Sequence, residues 1–216
     1  MEIISKNISV NKTARYFLSG GSQAPKILMF VLHGYGMPAS HFLQEFTELD
    51  NENTLIVSPE GLSRFYTKGF YGKIGASWMT SEDRENEIND YINYLDEVYE
   101  EVLNTLVTKP EKIVFLGFSQ GGATVTRWAV KGKSEAEILI IHSSDIPNDI
   151  DIISLKEKSD KMKINCVYGN EDKAVRKENF ESSVDLLKEN SINFTLHNFN
   201  GGHSIDIETV KKIITI

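Results

Sequence analysis

Lys112-Ile113-Val114-Phe115-Leu116-Gly117-Phe118-Ser119-Gln120-Gly121-Gly122-Ala123 is the stretch whose reading decides the architecture. Its apolar run, 113–116, has no polar alternation, which suits a strand covered on both faces in a parallel sheet. Gly117-Phe118-Ser119-Gln120-Gly121 is a G-x-S-x-G pentapeptide, and a helix is predicted from Gln120 to Val130. The pentapeptide alone is short enough to arise by chance, so its setting between a buried strand and a helix carries the weight. A strand that turns sharply into a helix forces the serine into a strained backbone conformation, and the residues two before and two after must lack bulk. The turn also sets the hydroxyl at a helix N-terminus, where free N–H groups and the dipole favour developing negative charge.

The same apolar signature recurs on both sides. Residues 27–32, 55–57, 138–141 and 164–168 read as buried strands, and 192–197 is a weaker candidate. At the start of the chain, 3–10 and 13–19 read as two short strands joined by a polar turn at Asn11–Lys12. Ile88, Tyr91, Ile92, Leu95, Val98, Tyr99, Val102, Leu103 and Leu106 follow the three–four spacing of an amphipathic helix. Thr80-Ser81-Glu82-Asp83 offers that helix a capping box. Further helices are expected over 176–190 and 205–214. Strand and helix alternating in this way predict an α/β fold: one domain, 1–216, with a mostly parallel sheet of about seven or eight strands and no separate cap domain. Two stretches break the rhythm. Residues 33–49 leave a strand end through Gly34-Tyr35-Gly36, and 59–78 form a long, glycine- and aromatic-rich loop holding Phe65, Tyr66, Phe70, Tyr71 and Trp78. In open α/β sheets ligands bind beyond the carboxyl ends of the strands, where both segments must emerge.

Composition narrows the function classes. With 23 Lys and Arg against 31 Asp and Glu, the chain of 216 residues carries a net charge of −8 and no basic patch that could track a phosphate backbone. Nucleic acid is therefore not an expected partner. Much of the acidic excess lies in two helix-like stretches, 82–101 and 144–160, and reads as a solvated face. The single cysteine, Cys166, falls within a strand pattern and reads as a small buried hydrophobe. No ligand spacing for zinc, no phosphate-binding glycine loop and no apolar run long enough to span a membrane is present in the sequence. These features predict a soluble cytoplasmic protein that uses neither metal nor cofactor.

A nucleophilic serine needs a base, and the base needs an acid to orient it. On a sheet of this kind the acid follows the serine and the histidine follows the acid. Of five histidines, His33 and His41 precede Ser119, while His142 and His197 fall within or at the end of strand patterns. His203 stands in the loop Asn200-Gly201-Gly202-His203-Ser204 and is the expected base. Asp172 is the first candidate acid, with Glu171 beside it and Asp145 after the preceding strand as alternatives. The oxyanion hole needs two backbone donors, expected from Gln120 and from Tyr35 between its two glycines.

Leu32-His33-Gly34-Tyr35-Gly36, Gly117-Phe118-Ser119-Gln120-Gly121-Gly122, Gly169-x-x-Asp172 and Gly201-Gly202-His203 together resemble the ordered motifs of the phospholipase/carboxylesterase family of α/β-hydrolases, which includes the acyl-protein thioesterases. The Ser77-Trp78 pair is similar to that family's Ser-Trp near its active-site loop. The resemblance implies an α/β-hydrolase fold and a serine carboxylesterase, acting on small acyl esters or thioesters. Ser119 would be its nucleophile, Asp172 its acid, His203 its base, and Tyr35 and Gln120 its oxyanion donors. Phe65, Tyr66, Phe70, Tyr71 and Trp78 are expected to form the acyl pocket. A serine peptidase acting on amides, and a non-catalytic binding protein on a hydrolase scaffold, are the rival readings.

Overall fold

The computed structural model describes residues 3–21 and 23–215. Among these residues nine strands and six α-helices follow in the order β1 (Tyr16–Ser19), β2 (Ile27–Leu32), α1 (Ala39–Phe42) running into a 3-10 helix (Leu43–Leu49), β3 (Thr54–Pro59), β4 (Ser63–Tyr66), β5 (Ile74–Ser77), α2 (Arg84–Thr105), β6 (Lys112–Phe118), α3 (Gln120–Lys131), β7 (Ile138–His142), α4 (Ile152–Ser159), β8 (Lys163–Gly169), α5 (Lys177–Glu189), β9 (Phe194–Phe199) and α6 (Ile207–Thr215). Seven strands make the main sheet in the order β1-β3-β2-β6-β7-β8-β9, and only β1 runs antiparallel to its neighbour. No helix among the described residues is long and apolar enough to cross a membrane.

Continuous apolar runs are explained by helices on both sheet faces. Along β2, Leu28, Phe30 and Leu32 enter one core with Phe115, Trp128 and the apolar stripe of α2, which includes Ile88, Tyr91 and Leu95. Met29 and Val31 point the other way, into a core with Val114, Leu116 and the α6 residues Val210 and Ile213. Period-two alternation thus persists in the side-chain directions although every residue is apolar.

Four expectations fail in whole or in part. Of the two N-terminal strands, only Tyr16–Ser19 pairs; residues 3–15 cross α2 without regular structure, leaving Ile3, Ile4, Ile8 and Val10 exposed. With these side chains left in solvent, alternation alone buries nothing and yields no pairing. Residues 59–78 are not an irregular loop: β4 and β5 form an antiparallel hairpin in which Phe65 faces Gly75 and Tyr66 faces Ile74. β4 buries none of its residues, and β5, buried from Gly75 to Ser77, reads Ile-Gly-Ala-Ser, so neither presents an apolar run. The capping box at Thr80 also does not form. The helix begins at Arg84, after Asp83 in a left-handed conformation, and Thr80 instead receives the Glu87 carboxylate on its backbone N–H. In the stretch 144–160, Asp151 caps α4 by accepting from the N–H groups of Ile153 and Ser154, so only the second half is helical.

The junction of α2 with the end of α3 rests on one carboxylate. Asp96 accepts from Trp128 Nε1 at 2.8 Å, Ser134 Oγ at 2.6 Å and the backbone N–H groups of Lys133 and Ser134. Burial disfavours its charge, but these bonds outweigh that and hold the carboxyl below its ordinary range. Asp96→Ala strands four donors in a buried site and should lower the unfolding free energy by about 3 kcal/mol in urea titrations. A change within 0.5 kcal/mol would show that the junction does not depend on this network.

Candidate functional site

The turn from β6 into α3 sets the site. Ser119 has φ 55° and ψ −121°, outside the regions a side chain favours. The flanking glycines explain how the chain tolerates this. A Cβ on Gly117 would lie 2.0 Å from Gly121 O, and one on Gly121 would lie 2.2 Å from Leu32 O. Only bare backbone fits, and it brings β2, β6 and α3 together beneath the serine. Ser119 N–H donates to His142 O at 3.0 Å, and Gly122 N–H to Ser119 O at 2.8 Å.

The loop after β2 closes over this turn. A Cβ on Gly34 would lie 3.3 Å from Ser119 Cβ. Gly36, at φ 73°, donates its N–H to Ala76 O at 2.8 Å and ties the loop to the β4–β5 hairpin. Neither Tyr35 N–H nor Gln120 N–H finds a backbone acceptor among the described residues. These two donors stand on adjacent backbone segments flanking Ser119.

On the far side, His203 Nδ1 and Asp172 Oδ2 are 2.8 Å apart. The other oxygen of Asp172 accepts from the N–H groups of Ala174 and Val175 at 2.9 and 3.0 Å. Burial works against the carboxylate, yet the His203 bond and the two N–H bonds keep its pKa below the usual range. The His203 ring packs on Phe118, the residue before Ser119, with centroids 4.7 Å apart. Of the alternative acids, Glu171 uses its backbone N–H on Gly201 O, and neither Glu171 nor Asp145 bonds to His203.

The aromatic residues divide. Trp78 does not line a pocket: it is buried in the core, stacks on His33 with centroids 4.9 Å apart and donates Nε1–H to His33 O at 2.8 Å. Its large apolar face is consumed beneath the loop. Phe65 packs on Tyr35 at 5.2 Å, beside the site. Phe70 and Tyr71 stand fully out at the hairpin end and Tyr66 is half exposed, so these three enclose no cavity. Cys166 is buried and its thiol is pushed up to about 12 by burial alone, in keeping with an inert core residue.

Two supporting side chains escaped the sequence reading. Gln120, expected only for its backbone N–H, also clamps the segment after β5: its Oε1 accepts from Trp78 N–H at 3.1 Å and its Nε2 donates to Met79 O at 2.8 Å. His33, passed over because it precedes Ser119, is wholly buried; its Nε2 accepts from Gly61 N–H at 2.9 Å and its Nδ1 lies 2.8 Å from Gly34 O. The N–H of Gly61 can only donate, which leaves the proton on Nδ1, donating to Gly34. The available signal was a histidine at the end of an apolar strand, immediately before a glycine turn.

His33 and His142 are both buried, and burial lowers each pKa to about 4 from an unperturbed 6.5. The folded chain therefore binds fewer protons than the unfolded chain between these values, and stability falls as pH drops through that window. By pH 4.5 each histidine should cost about 2–3 kcal/mol relative to pH 7. Asp149, held at about 2 by Arg127 and Arg84 against the opposing effect of burial, contributes its own loss only at lower pH. Urea midpoints measured from pH 7 to 4.5 should fall steeply, and a flat profile would mean that these rings are not neutral in the fold.

The sequence over residues 16–216 matches the phospholipase/carboxylesterase family. Among solved structures, acyl-protein thioesterase 2 of Zea mays superposes with a TM-score of 0.70 at 20% identity, covering 94% of this chain and 97% of that one. A carboxylesterase from Mesorhizobium loti gives a TM-score of 0.72 at 14% identity and 94% coverage of both chains. The Bacillus cereus carboxylesterase gives 0.65 at 17% identity, with 94% and 92% covered. No curated protein matches by sequence. The sheet order and these superpositions make the architecture an α/β-hydrolase fold, and the chain belongs to the phospholipase/carboxylesterase family of serine hydrolases.

Proposed function

We propose that the protein hydrolyses small carboxylic esters, with thioesters as a second substrate class, through an acyl-enzyme on Ser119. The observation that carries this reading is the strained Ser119 turn, with the His203–Asp172 pair packed against the residue that precedes it. Ser119 Oγ attacks the acyl carbonyl while His203 Nε2 takes its proton. Asp172 holds the Nδ1–H and stabilises the imidazolium that forms. The N–H groups of Tyr35 and Gln120 receive the oxyanion. His203 then protonates the departing alcohol or thiol. A water activated by the same imidazole attacks the acyl carbonyl and releases the acid, so no cofactor enters the cycle. The Tyr35–Phe65 ring pair, next to the oxyanion loop, supplies the apolar surface for the acyl group. We assign the enzyme to the cytoplasm as a single-domain protein, on its one buried free thiol and its unbroken sheet.

A fluorophosphonate probe should label the wild type and not Ser119→Ala. With p-nitrophenyl acetate, acyl thioesters and peptide anilides assayed side by side, the esters and thioesters should turn over. Ser119→Ala should lose on the order of 10⁶-fold in kcat. Asp172→Asn should cost about 10⁴-fold, the usual consequence of losing the orienting acid, while Asp145→Asn stays near wild type. An unlabelled wild type would defeat the hydrolase reading. Preferential anilide cleavage would favour a peptidase, and a silent Asp172→Asn would move the acid elsewhere.

A further inference from the structure

His142 is the last residue of β7 and is fully buried, yet it is not part of the proposed mechanism. Its backbone carbonyl accepts the N–H of Ser119 at 3.0 Å, and its ring Nε2 accepts the N–H of Asp206 at 3.0 Å. Asp206 lies three residues beyond His203. An amide N–H can only donate, so Nε2 carries no proton and the Nδ1–H faces Ser143 Oγ at 3.2 Å. Phe118 and Phe199 flank the ring at 5.9 and 5.6 Å, and Phe118 is also the surface on which His203 rests.

The loop carrying His203 is held at both ends. At its entry, Asn170 N–H donates to Phe199 O and Glu171 N–H to Gly201 O, each at 2.9 Å, so the acid-bearing loop fixes that stem. At its exit the anchor is the His142 ring. Beyond it, Asp206 opens α6, its carbonyl accepting from Val210 N–H and its carboxylate from Thr209 N–H at 3.3 Å. The fixed start of α6 and the fixed end of β7 therefore meet at one imidazole.

We propose that His142 is a positioning residue that sets the separation of nucleophile and base, holding the Ser119 backbone through its carbonyl and the exit of the His203 loop through its ring. The inference rests on the Ser119–His203 reading above. A leucine or phenylalanine would fill the same buried space, but neither presents an acceptor to Asp206 N–H. The charged groups around the ring are Asp206 and Asp172, which favour its protonation, and His203, which opposes it; burial outweighs them all and keeps it neutral.

The test compares His142→Phe, which keeps bulk and removes the acceptor, with His142→Gln, whose side-chain carbonyl can restore one. On p-nitrophenyl acetate, His142→Phe should lose about 10- to 100-fold in kcat with KM within twofold, because a small displacement of the base raises the chemical barrier without touching substrate binding. His142→Gln should recover to within about threefold of wild type, the range expected when one neutral acceptor replaces another. Amide hydrogen exchange at Asp206 should be slow in wild type and in the glutamine variant, and fast in the phenylalanine variant. If His142→Phe does not fold, His142→Met, whose flexible side chain fills irregular space, is read in its place. A folded His142→Phe or His142→Met with wild-type kcat would overturn the proposal. So would a loss confined to KM, or a glutamine variant as impaired as the apolar one. Fluorophosphonate labelling of the wild type separates the two readings. No labelling defeats the serine mechanism itself, whereas normal labelling with an indifferent His142 defeats only this inference.

Discussion

Everything at the site depends on a backbone conformation that the chain would not adopt by itself. A residue held as Ser119 is, at φ 55° and ψ −121°, costs about 1–3 kcal/mol and persists only where its surroundings over-determine it. Here the surroundings are close-packed backbone. Gly117 and Gly121 let β2, β6 and α3 approach to distances at which a Cβ would overlap a carbonyl oxygen. Gly122 does the same against Ser144, where a Cβ would lie 2.3 Å from Ser144 Cβ. The strain is offset by the hydrogen bonds on either side of Ser119 and by the apolar residues of β6, buried on both sheet faces. The stability of the sheet and the exposure of the serine hydroxyl are thus one arrangement.

The strands flanking β6 repeat a single device. β2 is followed by His33 and β7 ends in His142; both rings are fully buried, and in each Nε2 accepts a backbone N–H from a distant segment. In each, Nδ1 faces an oxygen of the next residue, Gly34 O in one case and Ser143 Oγ in the other. A neutral imidazole is suited to this because one planar ring is donor and acceptor at once. His33 seats the loop that offers Tyr35 N–H, and His142 seats the loop that carries His203. The backbone groups around Ser119 are held from left and right by rings whose charge burial suppresses.

What could be read from the sequence follows the same physics. The strands at 27–32, 113–116, 138–141 and 164–168 were legible because burial on both faces leaves uninterrupted apolar runs. The serine turn was legible because its clearances admit only glycine. Asp172 could be ranked above Glu171 and Asp145 but not separated from them, since which carboxylate meets His203 depends on loop geometry that adjacent residues share. The β4–β5 hairpin stayed hidden because β4 buries none of its residues, while the buried residues of β5 are Gly75, Ala76 and Ser77, too small to read as an apolar run. Trp78 was misread because an aromatic residue in a loop looks alike whether it faces a ligand or the underside of its own backbone. The roles of His33 and of the Gln120 side chain were invisible for a related reason: their partners are backbone groups 28 and about 40 residues away in sequence.

The Gln120 clamp ties the hairpin to the chemistry. One side chain fixes the Trp78 N–H and the Met79 carbonyl, while its own backbone N–H is an oxyanion donor in the proposed mechanism. The hairpin is seated a second time by Gly36 N–H on Ala76 O, and a Cβ on Gly75 would lie 2.4 Å from Gly36 O. The base of the hairpin is therefore held by backbone contacts as close as those at the serine turn, while its far end projects into solvent with Phe70 and Tyr71 uncovered. Both proposed oxyanion donors sit on segments bonded to this base, the kind of preorganisation that electrostatic stabilisation of an oxyanion requires. The side chain of His203 is a quarter exposed, which leaves the proposed base in reach of the water that the proposed second step needs. In the proposed mechanism preformed donors serve acylation and deacylation alike, and an open site supplies the water that the second step consumes.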